Sequence, residues 1–231
     1  MTVKAVVFDL DGTIVAFNID YMAVRAEVRN LLMKEGFPAS ILSTKESIFE
    51  VLKKAQIFLK NQNKPRRKFE DIRSQASAIA EKFEFEAART TSLLSGAAEA
   101  LKEVKKMRLK IGLCTVNGDR ATEYLLKKFR IAQYFDAKIT RDEVENVKPS
   151  SDHLEAVLAT LEVNAEEAVV VGDGIGDMKC ATNLQAVAVG LTTGVSTAAE
   201  LMNAGANYII TSITDLPSLI ESINDVSNHS G

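Results

Sequence analysis

The chain has 231 residues, 46% of them hydrophobic and 26% charged, with a net charge of -3 at pH 7. An ordinary apolar fraction and so small a net charge exclude global disorder, and a sequence pI near 5.6 gives no support to a nucleic-acid partner, whose binders carry a basic excess. No apolar run approaches the roughly 20 residues that a bilayer requires, and Met1-Thr2-Val3-Lys4, followed closely by Asp9 and Asp11, does not read as a signal peptide.

In chain order, the first predicted element is an apolar strand over residues 4–8 that runs into Asp9-Leu10-Asp11-Gly12-Thr13. The next strand begins only at residue 110, far beyond the span of one crossover helix. The intervening chain is helical in pattern. Tyr21, Val24, Val28, Leu31 and Leu32 recur at helical spacing, as do Ile48, Val51, Leu52, Ala55, Phe58 and Leu59. A third set comprises Phe69, Ile72, Ala76, Ile79, Ala80 and Phe83. Residues 17–88 therefore read as an inserted all-helical module, and the core as discontinuous, 1–16 joined to 89–231. Further strands are predicted at 110–115, 137–140, 168–172, 186–190 and 207–211, with helices at 97–107, 120–129, 151–161 and 215–223. Near-continuous apolar strands alternating with helices predict an α/β fold, a doubly wound, mostly parallel sheet covered on both faces.

The chemistry lies at the strand ends. Acids at i and i+2 of extended backbone share a face, which pairs Asp9 with Asp11. A second pair, Asp173 and Asp177, follows the 168–172 strand in Gly172-Asp173-Gly174-Ile175-Gly176-Asp177. Open α/β sheets place their sites at such carboxyl ends, so all four carboxylates are expected to converge. That much like charge calls for raised pKa values or a bound cation. A few hard oxygens that leave room for water and phosphate suit Mg2+. A neutral acid beside an ionised one is also what nucleophile-plus-general-acid chemistry requires. Thr115, with Val116-Asn117-Gly118 behind it, offers a hydroxyl and turn amides for phosphoryl oxygens, which makes Val116 and Asn117 substrate-binding candidates. Lys148, in Asn146-Val147-Lys148-Pro149, offers a cation that screens both carboxylates and phosphoryl group.

Other patterns are set aside on their spacing. An EF-hand loop needs a third acid or amide and a distal Glu, and a dinucleotide loop over 172–177 needs glycine where Asp177 stands. The basic run 60–68 reads as a solvated loop between helices. Arg25 and Lys45 are candidates to touch a substrate's leaving group. His153 and His229 lack metal-ligand spacing and read as bystanders. Cys114 and Cys180 do not form a disulfide framework and read as reduced, buried packing residues of a cytoplasmic protein. Ser151 reads as a helix cap.

Taken together, these residues resemble the haloacid dehalogenase-like superfamily. Asp9-Leu10-Asp11-Gly12-Thr13 is similar to its DxDGT motif, Thr115 to its second motif, Lys148-Pro149 to its third and Gly172 to Asp177 to its GDxxxD motif, in the family's order along the whole core. A helical insert after the first motif resembles the family's type 1 cap. The resemblance implies that Asp9 attacks phosphorus to form an aspartyl-phosphate, and that Asp11 protonates the leaving alkoxide and then activates water. It also implies that Thr115 and Lys148 orient the phosphoryl group. Mg2+ would be held by Asp9, the backbone carbonyl of Asp11, and Asp173, with Asp177 as ligand or support. An acid at position 11 argues against the dehalogenase branch. The expected protein is a Mg2+-dependent phosphatase of a small phosphorylated metabolite, phosphoglycolate phosphatase-like, and a monomer or homodimer with no nucleic-acid or membrane partner. The alternatives are a β-phosphoglucomutase-like phosphomutase and a non-catalytic module that binds a phosphorylated ligand.

Overall fold

The structure is a computed structural model that describes residues 2–43 and 46–228. The chain divides into two compact units, one of Met1–Asn18 with Thr91–Gly231 and one of Ile19–Thr90. The second holds helices α1 (Tyr21–Lys34), α2 (Ile48–Asn61) and α3 (Arg66–Thr90). Their apolar stripes decide the packing. Val24, Val28 and Leu32 of α1, Val51, Leu52, Ala55 and Leu59 of α2, and Phe69, Ile72, Ala76 and Ala80 of α3 close into one core. Asp20 caps α1 by accepting the Ala23 N–H at 2.9 Å, and Ser47 and Glu50 form a reciprocal capping box at the start of α2. The basic run departs from its reading as a loop. Lys60 lies in α2 and Arg66 to Lys68 open α3, because Lys and Arg are good helix formers, and the chain turns only around Asn63 (φ 54°) and Pro65.

The discontinuous unit carries the sheet. Strands β1 (Ala5–Phe8), β2 (Lys110–Cys114), β3 (Ala137–Ile139), β4 (Ala168–Gly172), β5 (Val187–Leu191) and β6 (Tyr208–Ile210) lie in the order β3-β2-β1-β4-β5-β6, and all neighbours are parallel. Helices α4 (Ala97–Lys106), α5 (Asp119–Lys128), α6 (Ser151–Leu161), α7 (Ile175–Asn183), α8 (Ala198–Asn203) and α9 (Leu216–Asn228) complete the unit. Every residue of β1 and of β4 is buried, which is why both strands read as unbroken apolar runs. This is the expected doubly wound α/β fold.

Two features of the topology position the site. Strand order reverses at β1, with β2 and β3 on one side and β4 to β6 on the other, so a crevice opens above its carboxyl end. The register also levels the strand ends. Phe8 stands opposite both Leu113 and Val171, so Asp9, Thr115 and Asp173 emerge within one residue of the same height. Helices α5, α6 and α7 begin just beyond, from N-caps at Gly118, Ser150 and Gly174. Ser151 is therefore the first helical residue rather than the cap, and Ser150 holds the cap position without a side-chain capping bond. No helix among the described residues is long and apolar enough to cross a membrane.

Candidate active site

Past β1 the chain winds tightly. The N–H groups of Ile14 and Val15 both donate to the Leu10 carbonyl, at 2.8 and 3.0 Å, while Gly12 donates to Val15 O at 2.7 Å. Gly12 has φ +78°, and a Cβ there would lie 2.5 Å from the Asp173 carboxyl carbon, so both conformation and space call for glycine. Through this turn the first and fourth motifs come into contact. Thr13 Oγ1 donates to Asp173 Oδ1 at 3.4 Å, Val195 N–H donates to Asp173 Oδ2 at 2.8 Å, and Thr193 Oγ1 donates to the Gly12 carbonyl at 2.5 Å. Gly194 lacks the side chain that would collide with Asp173.

Asp9, Asp173 and Asp177 form one acidic cluster, with an oxygen from each within 4.8 Å of the others. Lys148 reaches into it. Its Nζ donates to Asp9 Oδ1 and Asp177 Oδ1, both at 2.6 Å, and to the Cys114 carbonyl at 2.8 Å. The Lys148 side chain is only 7% exposed. Burial works against its charge, but the charges of Asp177 and Asp9 outweigh that penalty and hold its pKa well above the ordinary lysine value. The carboxyls move the opposite way. Burial pushes Asp9 up, and burial together with the neighbouring Asp177 pushes Asp173 up to about 6. Asp177 also stands at about 6, raised by burial and by Asp9 against the pull of Lys148. Its second oxygen accepts the Gly174 N–H at 3.1 Å, so Asp177 braces both the lysine and the start of α7.

The expected convergence of four carboxylates holds for three. Asp11 Oδ2 instead accepts a hydrogen bond from Asn117 Nδ2 at 2.5 Å, beyond a bend at Leu10 that interrupts the extended run between the two acids. Thr115 is buried, and its Oγ1 accepts the Asn117 N–H at 3.2 Å, which leaves the hydroxyl proton to point elsewhere. Asn117, expected to bind substrate, thus directs its side-chain amide to Asp11 and its backbone N–H to Thr115. Val116 is half-buried in the same loop. Arg25 lies on α1 in the Ile19–Thr90 unit, whereas Lys45 and His229 lie outside the described residues. Cys114 and Cys180 are buried free thiols whose pKa values burial raises, consistent with packing roles.

Two residues of the surroundings carried no sequence motif. Arg141, buried just past β3, donates its N–H to Asn117 O and its Nη1 to Val116 O, both at 3.2 Å. His153 is no bystander. It is fully buried on α6, its Nδ1 accepts the Lys148 N–H at 3.4 Å, and its Nε2 lies 3.3 Å from the Ile139 carbonyl. These partners assign a neutral ring with the proton on Nε2. Burial, and then the charge of Lys148, push its pKa from 6.5 down to about 4. The unfolded chain therefore takes up this proton first as the pH falls, so stability from the neutral ring is present above 6.5 and lost toward 4. The unfolding free energy of wild type minus that of His153→Gln is expected to fall by about 3 kcal/mol between pH 7 and pH 4. Urea denaturation at the two pH values reads this difference, and a constant gap would contradict the neutral ring.

A sequence model of the haloacid dehalogenase-like hydrolases matches residues 6–191. Among curated proteins, the pyrophosphatase PpaX of Bacillus mycoides is 31% identical over 126 residues, covering 54% of this chain and 59% of that protein. The chain thus spans less than two thirds of the length of this relative. Among solved structures, a hydrolase from Pseudomonas syringae superposes with TM-score 0.67 at 23% identity, covering 95% of this chain and 99% of that one. A phosphonoacetaldehyde hydrolase-like protein from Oleispira antarctica gives 0.68 at 18% identity over 97% and 94%. At these identities the two structures speak for the fold alone.

Proposed function

The chain belongs to the haloacid dehalogenase-like hydrolase family, and on that premise we propose that it is a Mg2+-dependent phosphatase that hydrolyses a small phosphorylated metabolite through an aspartyl-phosphate on Asp9. The observation that carries this reading is the meeting of Asp9, Lys148, Asp173 and Asp177 at the carboxyl ends of β1 and β4, beside Thr115 and Asp11. We propose the sheet unit as the catalytic core and the helical unit as its cap, with Arg25 and Lys45 serving the leaving group. The buried thiols of Cys114 and Cys180 support a cytoplasmic setting.

The donor set fits the metal. Three carboxylates and one lysine leave a net negative charge, and burial with the acids' mutual repulsion raises Asp9, Asp173 and Asp177 despite Lys148, a balance that a divalent cation would offset. Asp9 and Asp173, with the Asp11 carbonyl, would hold Mg2+, while Asp177 supports from behind through Lys148 and Gly174. When bound, the ion supplies positive charge to the acids and to the phosphoryl oxygens.

The protein's own groups divide the work. Asp9 forms a bond to phosphorus as the bond to the leaving oxygen breaks, and Asp11 gives its proton to that oxygen. Water then forms the new bond to phosphorus as the Asp9 oxygen departs, and its proton returns to Asp11. Lys148 holds Asp9 in place and screens charge that gathers on the phosphoryl group. The Thr115 hydroxyl donates to a phosphoryl oxygen.

Phosphate release from a panel of phosphomonoesters, with Mg2+ and with chelator, tests the reading. Turnover that disappears on chelation is expected, and no turnover across the panel would overturn it. Conversion of a hexose 1-phosphate to its isomer without free phosphate would replace it with a phosphomutase. The PpaX relatives favour a second reading of the substrate, pyrophosphate, which phosphate release from pyrophosphate assayed beside the panel decides. Metal binding has its own readout. At 100 times its Kd, Mg2+ is expected to stabilise the fold by about 2.7 kcal/mol at pH 7.5. The gain shrinks at pH 5.5, where Asp173, raised to about 6, holds a proton that the ion must displace. Calorimetric scans that show equal gains at both pH values would contradict this ligand set.

A further inference from the structure

We infer that Asn117 is a positioning residue that holds the Asp11 carboxyl in the orientation from which it serves the leaving group. The inference rests on the phosphatase reading above and adds to it a residue acting on Asp11 rather than on substrate. Asn117 is 2% exposed, and its Nδ2 meets Asp11 Oδ2 at 2.5 Å across 106 positions of sequence. The direction of the amide follows from charge, because an ionised carboxylate only accepts hydrogen bonds and repels the oxygen end. Serving Asp11 in this way carries a cost. Asn117 Oδ1 is buried and finds no hydrogen-bond partner among the described residues, a condition that destabilises a fold. An apolar side chain of the same size would fill the space without that cost, so packing does not account for an amide here.

The backbone that carries the amide is held from several sides. Asn117 N–H donates to Thr115 Oγ1 at 3.2 Å and Asn117 O accepts the Arg141 N–H at 3.2 Å. Val116 O accepts from Arg141 Nη1 at 3.2 Å, and Thr122 Oγ1 donates to Gly118 O at 2.9 Å. The guanidinium of Arg141 occupies the space beside Gly118 that any larger residue would take. The segment past β3 thereby clamps the loop after β2, and the loop aims the amide.

The consequence is geometric. Oδ2 is engaged by Nδ2 at 2.5 Å, so a proton on Asp11 sits on Oδ1. That proton passes to the leaving oxygen as its bond to phosphorus breaks, and in the second half-reaction the proton of water returns to the same atom. Without Asn117 the carboxyl loses the hydrogen bond that fixes Oδ2, and a smaller share of the molecules is set to donate. A positioned proton donor is worth about 10²–10⁴-fold, and only where the leaving group needs the proton.

The test compares kcat/KM for p-nitrophenyl phosphate, whose leaving group departs unprotonated, with kcat/KM for glycerol 2-phosphate, an alkyl ester that needs the proton. In Asn117→Leu the ratio is expected to shift about 100-fold against the alkyl ester, while thermal unfolding occurs at or above the wild-type temperature because the orphaned oxygen is gone. Asn117→Ala provides the same kinetic ratio where Leu does not fold. An equal loss on both esters would overturn the inference and leave the phosphatase reading standing. A wild-type protein inactive on both esters and across the phosphomonoester panel in Mg2+ would overturn the phosphatase reading, and the inference with it.

Discussion

Asp9→Asn is expected to lose phosphate release by about 10³-fold or more while unfolding no more easily than the wild type. The first half follows from chemistry. An amide oxygen is a poor nucleophile toward phosphorus, and removal of an attacking atom costs orders of magnitude that neighbouring groups do not restore. The second half follows from the electrostatics of this site. Burial pushes the Asp9 pKa up despite Lys148, and an acid raised on folding is penalised in its ionised form at neutral pH. A neutral isostere removes that penalty, keeps an oxygen for Lys148 Nζ and leaves the sheet untouched. Released phosphate and thermal unfolding, measured on one preparation, separate the two effects. Retained turnover would end the nucleophile assignment, and a large drop in unfolding temperature would show that Asp9 is chiefly structural.

Lys148→Met is expected to destabilise the protein by about 3–5 kcal/mol, the usual cost of removing one side of a buried ion pair. Methionine fills much of the volume, so the loss is electrostatic. Asp9 and Asp177 lose a cation at 2.6 Å, and the Cys114 carbonyl loses its donor. The pH dependence carries the argument. With Lys148 gone, the folded-state values of Asp9 and Asp177 rise further above 3.8, the unfolded value. The penalty therefore sets in as pH rises through the folded values and fades as the acids take up protons below about 6. Urea denaturation at pH 8 and pH 5 is expected to show the larger loss at pH 8. Equal losses would mean that Lys148 packs rather than pairs, and saturating Mg2+ is expected to recover part of the deficit at pH 8 only.

Much of this site is legible in the chain because the proposed phosphoryl chemistry asks for particular groups next to particular elements. Asp9 and Asp173 each follow a run of apolar residues that reads as a buried parallel strand, and Lys148 precedes a proline ahead of a helical segment. The helical insert is legible through its 3.6-residue stripes, whose residues Val24, Val28, Leu32, Ala55 and Ile72 are all buried. Arg141 and His153 are not legible in this way. An arginine after a short strand and a histidine in a helix are ordinary surface or core residues until the fold shows what they touch. The same holds for Thr193 and Val195, which reach Gly12 and Asp173 from a loop on the far side of β5.

The amino-acid order by itself determined the alternation of strand and helix, the helical insert and the set of groups available at the strand ends. These depend on local periodicity and on residue type, which a linear chain carries in full. Tertiary structure alone decided that three acids gather around Lys148 while Asp11 turns to Asn117, and that Asp177 braces rather than stands free. Those outcomes come from strand register and from the bend at Leu10 past β1, which bring together groups more than a hundred residues apart. Side-chain directions at such distances depend on packing between elements, and no spacing along the chain encodes it.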